Sequence, residues 1–465
     1  EGEATPRFTY TFERLSESIR GTVYGGDAPP QPFTIEVVDR PRITELVLAI
    51  EPPAYTKLPL YELRAGQTVA EALRGSRLRI RFRTKDDVRE AVLIRQSGSE
   101  EKEVGQARRL SGTEFEVDDL PEASANYHFV LTDERGLTNV SDRTPPVRVS
   151  LRLVPDKPPV VKMKVRGVGE MITPEAILPI ETDFSDTYGL ASARLVMELT
   201  RNDTKAPPVI EPLTALEPGS RTFAHALEWS APAHQLAEGD RISLHAEAED
   251  FDDVSGPNVG ASPTTILRVV SREELLAELN RREQEYRQDF ERLIRQQEEL
   301  YAELLSLLGG ASEADRTRRF PQLARLQRDF AGRVTSLRLQ FEQVMSELSV
   351  NQLLTPESVA RLRDGIIGPL GVLSGTRMTR AAEGIDGLAR GVDQDAVAEA
   401  RSAQEAVLTD MRRILQNMIR WEGFQEAVAL LREVLKMQGK LNQETEKRIE
   451  AEVFGSEPPP DASNP

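Results

Sequence analysis

The phrase "IEVVDRP" at 35–41 returns as "LRLVPDKP" from Leu151 and as "LRVVSREE" from Leu267, each time 116 residues later. A repeat of domain length restricts the chain to a tandem of like units. Within each copy apolar residues alternate: Phe33, Ile35 and Val37; Val149, Leu151 and Leu153; Leu267 and Val269. A period of two is that of a strand with one buried face. Prolines stand before every copy (Pro30 and Pro32, Pro145 and Pro146, Pro263), which predicts an edge strand entered from a loop. About 20 residues upstream lies a second alternating run, Phe8, Tyr10 and Phe12, then Tyr127, Phe129 and Leu131, then Ile242, Leu244 and Ala246. The phrase and this run are expected to be the last two strands of a repeated domain.

The opening halves of the repeats agree too. "RLRIRFRTKDDVREAVLIRQ" (77–96) and "ILPIETDFSDTYGLASARLVMEL" (177–199) each read strand, acidic turn, strand, with Asp183, Asp186 and Gly189 expected to shape a hairpin. Short strands separated by Gly, Asp and Pro favour antiparallel sandwiches. The expected division is an Ig-like sandwich at 42–155, another at 156–270, and at 1–41 the C-terminal half of a preceding one. "DRPRI" and "PDKPPV" fit short, semi-rigid linkers.

The third copy leads elsewhere. Ser271 with Glu274 three residues on is a capping-box pattern, so helix is expected from 271. Leu279, Tyr286, Leu293, Leu300 and Leu307 keep a heptad, with Leu276, Phe290 and Leu304 between them, on a helix of about 50 Å. "GGASEAD" from Gly309 breaks it, and a second helix carries Leu323, Phe330, Leu337 and Val344 with Val334, Phe341 and Leu348 between, giving an antiparallel hairpin. "TPES" at 355–358 starts a third helix with Pro356 at its first position. Seven glycines between Gly365 and Gly391 predict kinks or close helix contacts there. A long last helix, about 393–452, precedes "GSEPPPDASNP". The expected fold is thus all-β Ig-like sandwiches in tandem, then an all-α antiparallel helical bundle or coiled-coil hairpin domain at 271–455 and a disordered tail at 456–465.

Functional signatures are sparse. With 76 acidic against 59 basic residues the net charge is -17, which repels nucleic-acid phosphates, and no run of five Lys/Arg offsets it. Zero cysteines exclude disulfides, thiolate metal sites and cysteine nucleophiles. His128, His225, His234 and His245 form no metal-binding pair, and no nucleophile elbow, P-loop or dinucleotide fingerprint occurs, so neither catalytic residues nor a cofactor is expected. No stretch reaches the roughly 18–20 apolar residues of a membrane helix, so any membrane anchor is expected outside this segment. The sharpest polar cluster is "EAEDFDDVSGPN" (247–258), where Glu249, Asp250, Asp252 and Asp253 could offer oxygens to Ca²⁺ or simply build a turn. The turn is the expectation, and no metal site is assigned. On the last helix Ile414, Met418, Trp421, Phe424, Val428, Leu431 and Leu435 make a stripe that is either core or a docking face, with Trp421 and Phe424 as its candidate partner-binding residues.

"YGGDAPPQPFTIEVVDRPRITELVLAIEPPAYTKLP" (24–59) resembles large bacterial envelope proteins of a domain-of-unknown-function family, which have N-terminal membrane helices, tandem Ig-like domains and a helical C-terminal region. The matching features are "GGD" at 25–27, "VVDRP" at 37–41 and "PPAYT" at 52–56. "DTYGL" (186–190) resembles their acidic turn, and "RWEGFQEAVALLREVLKMQGKLNQET" their terminal helix. The likeness spans about residues 8 to 455. It implies a bacterial extracytoplasmic or periplasmic location, membrane anchoring of the full-length protein, and no established catalytic residues. The expected function is therefore a non-catalytic structural or protein-interaction segment: the sandwiches are a spacer, and the helical module binds a protein partner or self-associates. The competing expectation is a surface module that binds a ligand or carbohydrate through sandwich loops, with or without Ca²⁺.

Overall fold

A computed structural model describes residues 7–13, 15–141 and 145–454, apart from the side chains at 421–436 and 446–454. A β-rich region with several sheets is followed by a helical region. The expected tail at 456–465 lies outside the described residues.

Among the described residues the N-terminal part holds one hairpin. Ile19–Gly25 pairs with Ala28–Ile35, and Gly26 takes the positive φ of 48° that its tight turn requires. Phe33 lays its ring over Gly21, where any Cβ would collide with it. The strand expected around Phe8, Tyr10 and Phe12 is not formed. The tight turn brings 19–25 beside 28–35 instead, and Phe8 is 93% exposed.

Next come two five-stranded sheets sharing one core. In the first the order is Tyr61–Glu62, Ile43–Glu51, Arg77–Thr84, Glu114–Asp119, Arg108–Arg109; in the second, Val69–Leu73, Arg148–Val154, Ala125–Thr132, Glu90–Ser97, Glu100–Gln106. Leu48, Leu78, Ile80 and Phe82 from one sheet meet Leu93, Tyr127, Phe129 and Leu151 from the other. The outward residues of Arg77–Thr84 are Arg77, Arg79, Arg81 and Arg83, each paired with a carboxylate (Glu51, Asp118, Glu116 and Glu114) on a neighbouring strand. These exposed pairs keep the outer face soluble and add little stability.

The second unit has a three-stranded sheet, Val160–Val165, Ile177–Ser185, Thr222–Ser230, facing a seven-stranded one. The larger sheet runs Met171–Ile172, Thr265–Val269, Arg241–Asp250, Leu190–Arg201, Thr204–Lys205, with two short strands, Val209–Pro212 and Val259–Ala261, paired at its margins. Leu178, Ile180 and Trp229 from the smaller sheet pack on Leu195, Ile242, Leu244 and Leu267 from the larger.

Two sequence expectations change here. In its second and third copies the repeated phrase is not an edge strand, whereas in the first Ala28–Ile35 is an edge of a two-stranded sheet and 36–41 form no strand. Arg148–Val154 lies between Ala125–Thr132, to which it is antiparallel, and Val69–Leu73, to which it is parallel; Thr265–Val269 lies likewise between Arg241–Asp250 and Met171–Ile172. In those two copies the prolines (Pro145, Pro146 and Pro263) fall in the preceding loop, where no ladder bond is lost, while Pro30 and Pro32 of the first copy lie within Ala28–Ile35. The acidic turns, in turn, close no hairpins. Arg77–Thr84 and Glu90–Ser97 belong to opposite sheets, as do Ile177–Ser185 and Leu190–Arg201, so each turn carries the chain across the core. Asp183 sits within a strand. Asp186 builds the turn, its Oδ1 accepting from the amides of Tyr188 (2.7 Å) and Gly189 (2.8 Å).

The helical region starts where the capping pattern places it. Ser271 Oγ accepts from the Glu274 amide at 3.1 Å; the Glu274 carboxylate pairs with Arg268 at 2.8 Å rather than turning back to the cap. α1 (Arg272–Gly310) and α2 (Glu313–Val350) bury their heptad residues, Phe290, Leu293, Leu300 and Leu304 against Phe330, Val334, Phe341 and Val344. The glycine-rich stretch is helical from 356 to 390 but includes two π-helical turns, Ala360–Ile367 and Leu373–Arg377. Gly384 allows the close approach of Ala400, whose Cα would stand 3.2 Å from an added Cβ. The last helix, Gln394–Phe454, closes the core with Val407, Met411, Ile414 and Met418. In that core Gln297, Gln327 and Gln404, all fully buried, bond one another at 2.6–2.9 Å. A closed polar ring of this kind penalises any slip of helix register, because a slip would orphan its amides.

Candidate functional site

Polar side chains converge at the joint between the two sheet pairs, and four motifs singled out above build it. "PPAYT" forms a short 3₁₀ turn, Ala54–Thr56, closed by Lys57 in the left-handed region at φ 56°. Thr56 Oγ1 donates to the Pro53 carbonyl at 2.7 Å and accepts from the Leu58 amide at 3.2 Å, which fixes the turn. Tyr55 is thereby held nearly buried, with its ring edge-on to Tyr188 of "DTYGL" at a centroid separation of 6.1 Å. Its hydroxyl donates to Asp156 Oδ2 at 3.0 Å. Asp156 belongs to the linker "PDKPPV", so one hydrogen bond ties the first sheet pair to the chain that leaves it.

The fourth component is the acidic loop at 250–258. Asp250 and Asp252 are each 2% exposed. Asp250 accepts from the amides of Asp252 (3.0 Å) and Asn258 (2.8 Å) and from Asn258 Nδ2 (2.8 Å). Asp252 accepts from the amides of Val254 (2.9 Å) and Ser255 (3.2 Å) and from Ser255 Oγ (2.8 Å). The carboxylates thus act as the turn expected from sequence. Folded this way, the loop presents Val254 to Gly75 and Phe251 to Lys57. An added Cβ at Gly75 would lie 2.6 Å from Val254 Cγ2, and Lys57 Nζ stands 5.9 Å from the centre of the Phe251 ring.

Burial and charge shift the acids in opposite senses. Burial raises the Asp156 carboxyl above the ordinary range; the charges of Asp186 and Asp250 add to this, while hydrogen bonds from the Lys157 amide and Tyr55 oppose it without cancelling it. Burial also pushes on Asp252, but its hydrogen bonds from Val254, Ser255 and Asn258 outweigh the push and hold it below the usual value. Tyr55 is raised strongly by burial and by its bond to Asp156, so its hydroxyl stays a donor at any physiological pH.

A second joint ties the larger sheet to α2. The Thr173 amide donates to Asn351 Oδ1 at 2.7 Å, Gln343 Nε2 donates to the Val168 carbonyl at 3.1 Å, and Gly169 passes so close to Glu347 that a Cβ would lie 3.0 Å from Oε2. Glu347, 1% exposed, takes a two-pronged bond from Arg282 on α1 at 2.7 and 3.0 Å. Val350 of α2 enters the core of the second sheet pair.

The remaining candidates are dispersed. His128 lies in a strand, His225 stacks on Phe223, His234 stacks on Trp229 and meets Glu211 at 3.1 Å, and His245 meets Glu247 at 3.1 Å. Among the described residues no group of three or more His, Asp or Glu is arranged to hold a metal ion, and no helix is long and apolar enough to cross a membrane. Ile414 and Met418 of the last-helix stripe are core; the side chains of Trp421 and Phe424 lie outside the described residues. Sequence reasoning missed Tyr55, Asp156, Gly75 and Glu347. Only "PPAYT", a tyrosine held between prolines and a Thr, gave a local signal.

No curated protein matches the chain. Residues 49–273, which begin within the strand Ile43–Glu51, run through the second sheet pair and end in the first turn of α1, match the model of a family described as Domain of unknown function (DUF4175), so the likeness to a domain-of-unknown-function family holds over this segment.

Proposed function

We propose that this chain is a non-catalytic, extracytoplasmic structural segment of a bacterial envelope protein, in which two Ig-like sandwiches form a rigid spacer carrying a helical bundle to its partner. On this reading residues 1–41 close a preceding sandwich, and the membrane anchor lies outside the segment. The observation that carries the proposal is how the joint motifs are used. Tyr55, Asp156, Asp250 and Asp252 are committed to one another and to their own loops, leaving little to bind a substrate. The competing reading, a ligand or carbohydrate module working through sandwich loops, draws less support because the 250–258 loop is engaged against Gly75 and Lys57. Association through the helical region is supported by the last helix, which runs on past its core residues. Its side chains from 437 to 445 are all exposed, including Met437 (57%) and Leu441 (67%).

The spacer reading is tested by pulsed dipolar spectroscopy on the full, cysteine-free chain, labelled at Glu101→Cys in the first sheet pair and Glu238→Cys in the second, both exposed. A rigid joint gives one narrow distance peak at neutral pH. A distribution as broad as that of units on a free linker rejects the spacer.

A further inference from the structure

The linker carboxylate Asp156 sits where four elements meet. From the 3₁₀ turn come Tyr55, bonded to it at 3.0 Å, and Lys57, whose Nζ is directed to Phe251 and to Gly219. The linker adds Lys157, whose amide donates to Asp156 Oδ1 at 2.7 Å. From the crossing turn come Asp186 and Tyr188, with Arg221 and Tyr61 beside Tyr188, and from the acidic loop Asp250 and Asp252. Asp186 and Asp250 already use their carboxylates to hold their own loops, so neither can turn away from Asp156 without unmaking a turn. A negative charge on Asp156 is therefore held against like charges fixed in place, within the joint between the two sheet pairs.

We propose that this joint is a pH-responsive brace, in which protonation of Asp156 tightens the junction between the two sheet pairs. The inference rests on the spacer reading and adds a control to it. Protonated Asp156 still accepts from Tyr55 but no longer repels Asp186 and Asp250. Because burial and those neighbours raise Asp156 in the folded protein, its stabilising protonated form is complete below the ordinary Asp value of about 3.9 and is lost as pH rises through the raised value. Asp252 works the other way. Its stabilisation is present above the ordinary value and is lost only as pH falls through its lowered one. Mild acid therefore tightens the brace, and stronger acid dismantles the 250–258 loop.

The test uses the labelled pair at Glu101→Cys and Glu238→Cys and reads the width of the distance distribution rather than its existence. In the otherwise native chain the peak is expected to narrow as pH falls from neutral towards about 4.5, just above the ordinary carboxylate range. Asp156→Asn, which keeps the shape and removes the charge, should show the narrow peak at neutral pH and no further change with acid. Tyr55→Phe should retain a pH response about a broader peak. A narrow peak whose width ignores both pH and Asp156→Asn overturns the brace and leaves the spacer standing. A peak broad at every pH removes the spacer reading itself.

Discussion

The two joints of this molecule solve the same mechanical problem with different chemistry. Between the sheet pairs, the contact is a set of pins: one tyrosine hydroxyl on one carboxylate, one valine against one glycine, two tyrosine rings edge to face. Between the second sheet pair and the helices there is a shared core. Val350 enters the sheet unit, Met171 packs against the helical core, and a buried carboxylate is enclosed by Arg282, Gln343 and the backbone of 168–169. Pins can be altered one at a time without unfolding either unit, whereas a shared core ties the stability of one unit to the other. The first joint therefore suits adjustment, and the second suits transmission of force or orientation.

The largest expected effect probes the second joint. Arg282→Ala leaves Glu347 buried without its two-pronged partner, and breaking such a pair costs about 3 kcal/mol. Urea unfolding followed by helical circular dichroism should show that loss, and adding Glu347→Gln should recover part of it by removing the stranded charge. If Arg282→Ala shifts the midpoint no more than an exposed arginine would, below about 0.5 kcal/mol, then the two joints do not differ in kind.

Tyr55→Phe probes the first joint and should be milder. It removes one hydroxyl and keeps the ring packed on Tyr188, so the expected cost is about 1 kcal/mol. A loss comparable to that of Arg282→Ala would mean that the sheet pairs share a cooperative core after all.

Sequence reveals these joints unequally, for physical reasons. Alternation and heptads mark residues that face one layer, and Tyr127, Leu151, Leu267, Leu293 and Phe330 are buried as their periods require. The cap at Ser271 is a contact within four residues and is equally legible. Tyr55 and Asp156 are 101 residues apart, and Thr173 and Asn351 are 178 apart. No local period encodes such a meeting. The acidic turns are legible as turns, but the hairpin expected at Asp183, Asp186 and Gly189 is not formed, because a turn that stays within a sheet and one that crosses the core use the same Asp and Gly chemistry. What separates them is which strand lies next to which, and that is fixed by the whole sheet. Phe8, Tyr10 and Phe12 show the converse: alternation marks a capacity for strand, realised only where a partner strand is available.

The smallest expected effect is none at all, from Ca²⁺ at the 250–258 loop. A hard cation needs several oxygens free to converge on it. Here Asp250 already accepts from two amides and the Asn258 side chain, and Asp252 from two amides and Ser255, so binding would have to break the bonds that shape the loop. An ion held by the folded state alone at about one hundred times its dissociation constant would add about 2.7 kcal/mol, a shift easily seen in a thermal melt. We expect the melting curve in millimolar Ca²⁺ to superimpose on that in chelator. A rise that disappears in Asp250→Ala would show that the loop exchanges its internal hydrogen bonds for a metal, and the first joint would then be braced by an ion rather than by tyrosine and valine.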